Sequence, residues 1–212
     1  MIDTLDALVE TDVQVCAEIN RVIHHNLLAN CRLEQIERVY SKPEVFAQCQ
    51  RWLSETNLFG KTIPVASTSK AAELANHEES SAAIASTLAA ELYALKIICA
   101  NIEDNAKNTT RFFVIGLKPS RPTGDDKTSV VFTTKDEPGA LVSVLDAFRQ
   151  EGVNMSFIQS RPSKKRNWEY YFFGDLKGHQ SEAAIQEALV AARKHCLRLH
   201  VLGSYPRASE AD

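Results

Sequence analysis

Apolar residues in the second half of the chain follow two alternating rhythms. Ser129–Thr134, Val153–Ser160, Trp168–Asp175 and Leu197–Gly203 are short runs rich in Val, Phe, Ile and Tyr, the composition of strands. Between them, Leu141, Leu145 and Phe148 stand at helical spacing behind Pro138-Gly139, and Ser181–His195 repeats that period. The order β-α-β-β-α-β predicts a ferredoxin-like unit, an antiparallel sheet with both helices on one face.

The first half reads as a layered α/β region. Val13–Leu28 carries strand composition. Pro43–Leu53 predicts one helix, with proline in its first turn and Val45, Phe46, Cys49 and Leu53 on one face. Thr62–Ala66 reads as a short buried strand, and Ser67-Thr68-Ser69 can cap a helix running through Ala71, Leu74 and Ala75. Ala82–Ser86 predicts a strand, Ala89–Leu95 a helix and Arg111–Leu117 a closing strand. Lys118–Lys127, with two prolines, a glycine and no apolar period, predicts a linker. The expected organisation is therefore residues 1–117, a linker at 118–127 and a second domain at 128–208.

Composition narrows the function. The 212 residues suffice for two small domains, and a net charge of −3 argues against nucleic acid or an anionic membrane as partner. No apolar run approaches the roughly 20 residues of a membrane span, and the opening Met-Ile-Asp-Thr-Leu-Asp lacks a signal peptide's basic start, so a cytoplasmic location is expected. Five scattered cysteines without a Cys-x-x-Cys pair point to reduced thiols. His24 and His25 would face opposite sides of a strand, with no acidic or thiol ligand at suitable spacing, so neither a metal nor any other cofactor is expected. The basic run Arg161–Arg166 reads as a solvated hairpin loop.

Several separate stretches resemble the prephenate dehydratase family. Val39-Tyr40-Ser41-Lys42-Pro43 with Gln48-Cys49 is similar to its Tyr-Ser-His-Pro…Gln-Cys block, although Lys42 replaces the histidine. Ser67-Thr68-Ser69-Lys70-Ala71 resembles its Ser-Thr-x-x-Ala helix start. Ile102-Glu103-Asp104 and Asn108-Thr109-Thr110-Arg111-Phe112 resemble its closing block. Pro138-Gly139-Ala140-Leu141, Gln159-Ser160-Arg161-Pro162 and Leu202-Gly203-Ser204-Tyr205-Pro206 resemble an ACT module, a ferredoxin-like amino-acid sensor. The implied fold is a partial periplasmic-binding-protein-like lobe followed by a ferredoxin-like βαββαβ ACT domain. In the family, the Ile2–Leu8 helix follows Gly-Thr-Phe-Ser and Glu-Asn-Ser blocks. Met1 is then either an internal methionine or the start of a shortened form, and most of one lobe of a two-lobed cleft is expected to be missing.

The resemblance implies conversion of prephenate to phenylpyruvate, water and carbon dioxide, with L-phenylalanine as effector and a homodimer or higher homo-oligomer as the assembly. Such a reaction needs a donor at the leaving hydroxyl and fixed donors at two carboxylates, but no strong base. The family's catalytic threonine falls on Thr110, which by its residue type alone reads as a strand cap. Arg111 offers a bidentate carboxylate partner, yet alternation sends it away from Thr110's face, and a surface ion pair reads equally well. Phe112 would be a wall of the site. Ser41 and Gln48 match substrate-contacting positions. Ser67 and Thr68 could meet an anion or simply cap a helix. For the effector the resemblance implies Gly139, Ala140 and Leu141 at a helix start, faced across a dimer interface by Gln159, Ser160, Arg161 and Pro162. The rival expectation is an inactive, amino-acid-binding regulatory dimer.

Overall fold

A computed structural model describes Leu8, residues 11–162 and residues 170–209. The expected opening helix (Leu8 apart), Trp168 and the basic run beyond Pro162 lie outside these residues. Contacts divide the chain into two compact units, Arg21–Thr110 and Met1–Asn20 with Arg111–Glu210. The division does not fall at Lys118–Lys127. That segment is tied into the second unit, where Lys118 O accepts from Cys16 Sγ, Ser120 Oγ donates to Cys16 O, and Asp126 accepts the amides of Thr123 and Gly124.

β1 (Gln14–Val22) precedes the five strands of the first unit: β2 (Asn26–Ala29), β3 (Arg38–Ser41), β4 (Thr62–Pro64), β5 (Ser81–Ala85) and β6 (Lys96–Cys99). Their order is β4-β3-β5-β2-β6, with β3 parallel to β4 and β5 and β2 antiparallel to its neighbours. Side chains alternate between two covered faces. Leu27, Ala29, Val39, Ala82 and Ile84 pack with Val45, Cys49 and Leu53. Leu28, Tyr40, Ala83 and Ala85 pack against Ala71, Ala72, Ala75, Ala89 and Ala90, whose small side chains bring the helices close to the sheet. Covering both faces removes the polar alternation that marks a half-exposed strand.

Here the structure corrects the expected elements. Val13–Leu28 is not one strand: Ile23-His24-His25 separates β1 from β2. The expected helix Pro43–Leu53 is two, α1 (Pro43–Gln48) and α2 (Gln50–Glu55), broken at Cys49 with φ −121° and ψ 20°. The cause is Asp104, whose amide donates to Gln48 O at 2.7 Å while its carboxylate accepts the Arg51 amide at 3.1 Å. A foreign residue inserted into the ladder at both ends of the junction stops a continuous helix. α3 (Thr68–His77) and α4 (Thr87–Leu92) follow β4 and β5, each capped by a serine: Ser67 accepts from Lys70 N and Ser86 from Ala89 N.

In the second unit β7 (Thr109–Gly116) pairs with β1 as a two-stranded ribbon. β8 (Asp126–Thr133), β9 (Met155–Pro162), β10 (Tyr170–Lys177) and β11 (Arg198–Pro206) form an antiparallel sheet of order β11-β8-β10-β9, connected through α5 (Ala140–Gln150) and α6 (Ala183–Arg193). This is the expected ferredoxin-like topology. Val144, Ala147, Phe148, Ile185, Ala188, Leu189 and Ala192 join Val130, Phe132 and Leu176 in one core. Leu145 is only half-buried; Val144 holds the place expected of it.

The sheet's other face is not left to solvent. Val131, Phe173, Leu202 and Tyr205 are covered by Val15 of β1, by Leu8 and by Phe113 of β7. Within this layer Arg111 Nε lies 2.7 Å from Glu18 Oε2, Nη1 lies 2.5 Å from Asp175 and Nη2 donates to Tyr205 at 2.6 Å. Lys127 Nζ completes the pairing of Glu18 at 2.8 Å, and Ser129 donates to Asp175 at 2.6 Å. Burial disfavours the charged guanidinium, but Asp175, Tyr205 and Glu18 outweigh it and hold the Arg111 pKa above its ordinary value.

The close approach of β1 also explains Gly203. Its φ is +151°, and a Cβ there would stand 2.2 Å from Val15 O, at an irregularity in the β11 register. Gly203→Ala is expected to lower the unfolding free energy by about 2 kcal/mol or more, because backbone rather than a flexible side chain must move. Urea unfolding checks this; a change within about 0.5 kcal/mol, usual for a surface substitution, contradicts the packing described.

Candidate active site

Within the first unit, the carboxyl ends of the parallel strands gather donors. β3 ends at Ser41, β4 at Pro64 and β5 at Ala85, and each leads toward a helix N-terminus. Sheets of this kind bind ligands at that edge, beyond the strand ends where the order reverses. Amides in a helix's first turn lack carbonyl partners within the helix. In α3, Ser67 Oγ takes the Lys70 amide, so the amides of Thr68 and Ser69 remain for an anion.

Asn26 begins β2 at the same edge, paired in register with Ala85. It is 2% exposed and fully used: Nδ2 donates to Ala85 O and Thr87 Oγ1, and Oδ1 accepts the Asn101 amide. Asn101 holds a left-handed conformation, φ 54°, one that asparagine tolerates better than most residues. Beside Asn26, His25 is buried and His24 is exposed. His25 Nε2 meets Gln48 Oε1 at 2.6 Å, and Asn108 Nδ2 donates to the same oxygen at 3.3 Å.

Glu103 anchors this corner. Its side chain is 2% exposed and pairs with His24 Nδ1 at 2.7 Å. Its other oxygen accepts the His25 amide at 2.9 Å. Burial raises the Glu103 pKa, but the hydrogen bonds from His24 and the His25 amide outweigh it and leave the carboxyl below its ordinary range. The adjacent Ile102 donates its amide to His25 O and is itself buried. Ile102-Glu103-Asp104 thus orders the histidine pair and splits the α1–α2 helix.

The residues singled out from the sequence separate into groups. Gln48, Ser67, Thr68 and Thr110 belong to the first unit. The Thr110 hydroxyl makes no hydrogen bond among the described residues. Ser41 is 0% exposed and donates to Ile84 O at 2.7 Å, which ties β3 to β5 rather than presenting a hydroxyl to a ligand. Arg111 takes the ion-pair alternative held open for it: Nε stands 2.7 Å from Glu18, Nη1 pairs with Asp175 and Nη2 donates to Tyr205, within the second unit. Phe112 also lies in the second unit and is 51% exposed. Asn26 and Thr87 were missed by sequence reasoning, whereas His25 was weighed there against a metal role and Glu103 stood within the Ile102-Glu103-Asp104 block; the pair His25-Asn26 beside an apolar run is the signal of buried polar groups. Burial pushes the Cys49 thiol up to about 12, aided by Asp104 and Glu103, which makes it unreactive. Among the described residues no group of His, Cys, Asp and Glu is arranged to hold a metal, and no helix is long and apolar enough to cross a membrane.

In the second unit, an open pocket of about 230 Å³ is lined by Gly139, Ala140 and Leu141 with Lys135, Tyr170 and Phe172 among others. Gly139 caps α5 with φ 82° and no side-chain cap; the Ala140 amide turns back to Glu137 O at 3.1 Å, which leaves the Leu141 amide as the open first-turn donor among the described residues. Gln159, Ser160, Arg161 and Pro162 lie on β9, at the sheet edge and opposite Phe173 to Tyr170 of β10. The effector residues expected together are therefore two groups within one chain.

A prephenate dehydratase family model matches residues 1–120 and an ACT domain model matches residues 128–193. A bifunctional chorismate mutase/prephenate dehydratase from Aquifex aeolicus is 45% identical over 97% of this chain, which spans 57% of that relative's length. A prephenate dehydratase from Methanocaldococcus jannaschii is 36% identical, with 96% of this chain and 75% of the relative covered. The solved structure of an Arthrobacter aurescens prephenate dehydratase in complex with L-Phe superposes with a TM-score of 0.85 at 32% identity, covering 99% of this chain and 73% of the other.

The lowered Glu103 pKa makes a signed prediction. A carboxyl depressed in the folded state contributes stability above its unfolded pKa, near 4.3, and loses it as pH falls through the folded value. Glu103→Gln should therefore destabilise the protein at pH 7, and the gap to the unsubstituted chain should narrow below about pH 4. Urea midpoints measured across pH test this; a gap independent of pH contradicts it.

Proposed function

We propose that this chain, which belongs to the prephenate dehydratase family, carries the donor set for the dehydration of prephenate, with L-phenylalanine as regulator. The observation that supports this most is the Thr110 hydroxyl, uncommitted two residues beyond the Asn108 that holds Gln48. Prephenate is a dianion with a ring hydroxyl. The hydroxyl leaves as water with one proton taken up, the ring carboxylate leaves as carbon dioxide, and its bonding pair completes the aromatic ring. Thr110 hydrogen-bonds the departing oxygen, a role suited to a hydroxyl too weakly acidic to ionise. The open amides of Thr68 and Ser69 and the carboxamide of Gln48 face developing and permanent charge with fixed dipoles, which costs no reorganisation during the reaction.

For regulation, the open α5 amide of Leu141 would take the effector carboxylate, with Gly139 and Ala140 leaving room for its approach. The Gln159–Pro162 edge of a second copy would complete the site, so the regulated form is a homodimer. Gln159 retains an acceptor for the effector ammonium but brings no charge. Effector control requires that L-phenylalanine favour one arrangement of the protein over another. A cytoplasmic location accompanies this biosynthetic role.

The purified chain is expected to form phenylpyruvate from prephenate, read by its absorbance in alkali, and to slow when L-phenylalanine is added. Thr110→Val should lower kcat by roughly 10²- to 10⁴-fold, the range for loss of a positioned proton donor, without shifting the unfolding midpoint. No phenylpyruvate from the unsubstituted chain, with L-phenylalanine still bound, would favour the purely regulatory reading. Unchanged turnover in Thr110→Val would remove Thr110 from the chemistry.

A further inference from the structure

Gln48 is exposed at the end of α1, where a glutamine side chain ordinarily rotates freely, yet its oxygen is fixed from two sides. We propose that buried His25 is a positioning residue for Gln48: it orients the carboxamide so that its NH₂ group is presented to an oxygen of the substrate. The inference rests on the dehydratase reading and adds to it a residue that touches no substrate.

A carboxamide oxygen only accepts, so His25 meets it through a protonated Nε2 at 2.6 Å. Asn108 Nδ2 supplies a second donor at 3.3 Å. With both lone pairs of Oε1 occupied, the NH₂ is the only end left unengaged. With the His25 proton on Nε2, a flipped amide would set its hydrogens against both the His25 and the Asn108 donors. His25 is itself fixed: it is 6% exposed, its amide donates to Glu103 at 2.9 Å and its carbonyl accepts from Ile102 at 2.8 Å. The main chain of Gln48 is held as well, its carbonyl accepting the Asp104 amide at 2.7 Å. Ordering a glutamine side chain on binding costs rotamer freedom, and this arrangement meets that cost during folding.

The test compares His25→Gln, His25→Leu, Gln48→Leu and the double variant His25→Leu/Gln48→Leu in the full chain. A glutamine at position 25 places an amide donor near the histidine Nε2 position, whereas leucine removes it. His25→Leu should lower kcat/KM by about tenfold to a hundredfold, the scale of a misplaced binding group. His25→Gln should recover most of that loss, and the double variant should be no worse than Gln48→Leu alone. Equal losses in His25→Gln and His25→Leu, or losses that multiply in the double variant, overturn the proposal. If His25→Leu does not fold, His25→Asn replaces it, because its shorter amide cannot reach Gln48. If the unsubstituted chain makes no phenylpyruvate, the dehydratase reading fails by itself, and the Gln48 side-chain NH₂ signals in NMR decide the positioning. They should be dispersed in the unsubstituted chain and in His25→Gln, and collapse to free-amide values in His25→Leu; signals unmoved by His25→Leu overturn it.

Discussion

A single guanidinium organises the second unit. Arg111 carries a positive charge into a layer where Glu18 is 0% and Asp175 4% exposed at the side chain. Taking these charges from water costs several kcal/mol each, and only close mutual pairing returns it. That constraint fixes where β7 runs, because Arg111 must reach Glu18 on β1, Asp175 on β10 and Tyr205 on β11 together. The ribbon of β1 and β7 follows as the cover of the sheet's second face. Gly203 then becomes necessary for the backbone of β1 to pass. A stack of Arg111 over the Phe113 ring, 4.4 Å from its centroid, adds a contact that lysine would reproduce poorly.

The first unit solves a different problem. Its sheet is covered on both faces, so polar groups collect at the carboxyl edge, where strand ends and helix starts leave main-chain groups without partners. Asn26, Ser67 and Ser86 satisfy some of these, and Glu103 with its neighbours fixes the loop that closes the edge. Among the described residues, the first amides of α3, the Gln48 side-chain NH₂ and the Thr110 hydroxyl remain open.

The two halves were unequally legible. The ferredoxin-like half announces itself because one face of its sheet meets helices and its strands are eight or nine residues long. β3 and β6, of four residues each, carry no usable period; β3 hides inside Arg-Val-Tyr-Ser and β6 begins with an exposed lysine. The α1–α2 break could not be read locally, since its cause, Asp104, is some fifty positions away in sequence. The same separation hid the clamp: Glu18, Arg111 and Asp175 are distant in the chain, and a Thr-Arg-Phe string says nothing of which face the arginine meets. Gln48, Ser67 and Thr68 were singled out by resemblance, whereas the hydrogen bonds of His25 to Gln48 and of Glu103 to His24 join positions distant in the chain, which no local pattern foretells.

Arg111 is a half-buried clamp that Glu18, Asp175 and Tyr205 meet from three sides. The unfolding free energy of Arg111→Lys, measured in urea without any ligand, tests it directly. Lysine keeps the charge but cannot serve Glu18, Asp175 and Tyr205 at once, so a loss of about 2–4 kcal/mol is predicted. A loss below about 0.5 kcal/mol, the value of an exposed ion pair, would contradict the clamp and return Arg111 to the substrate.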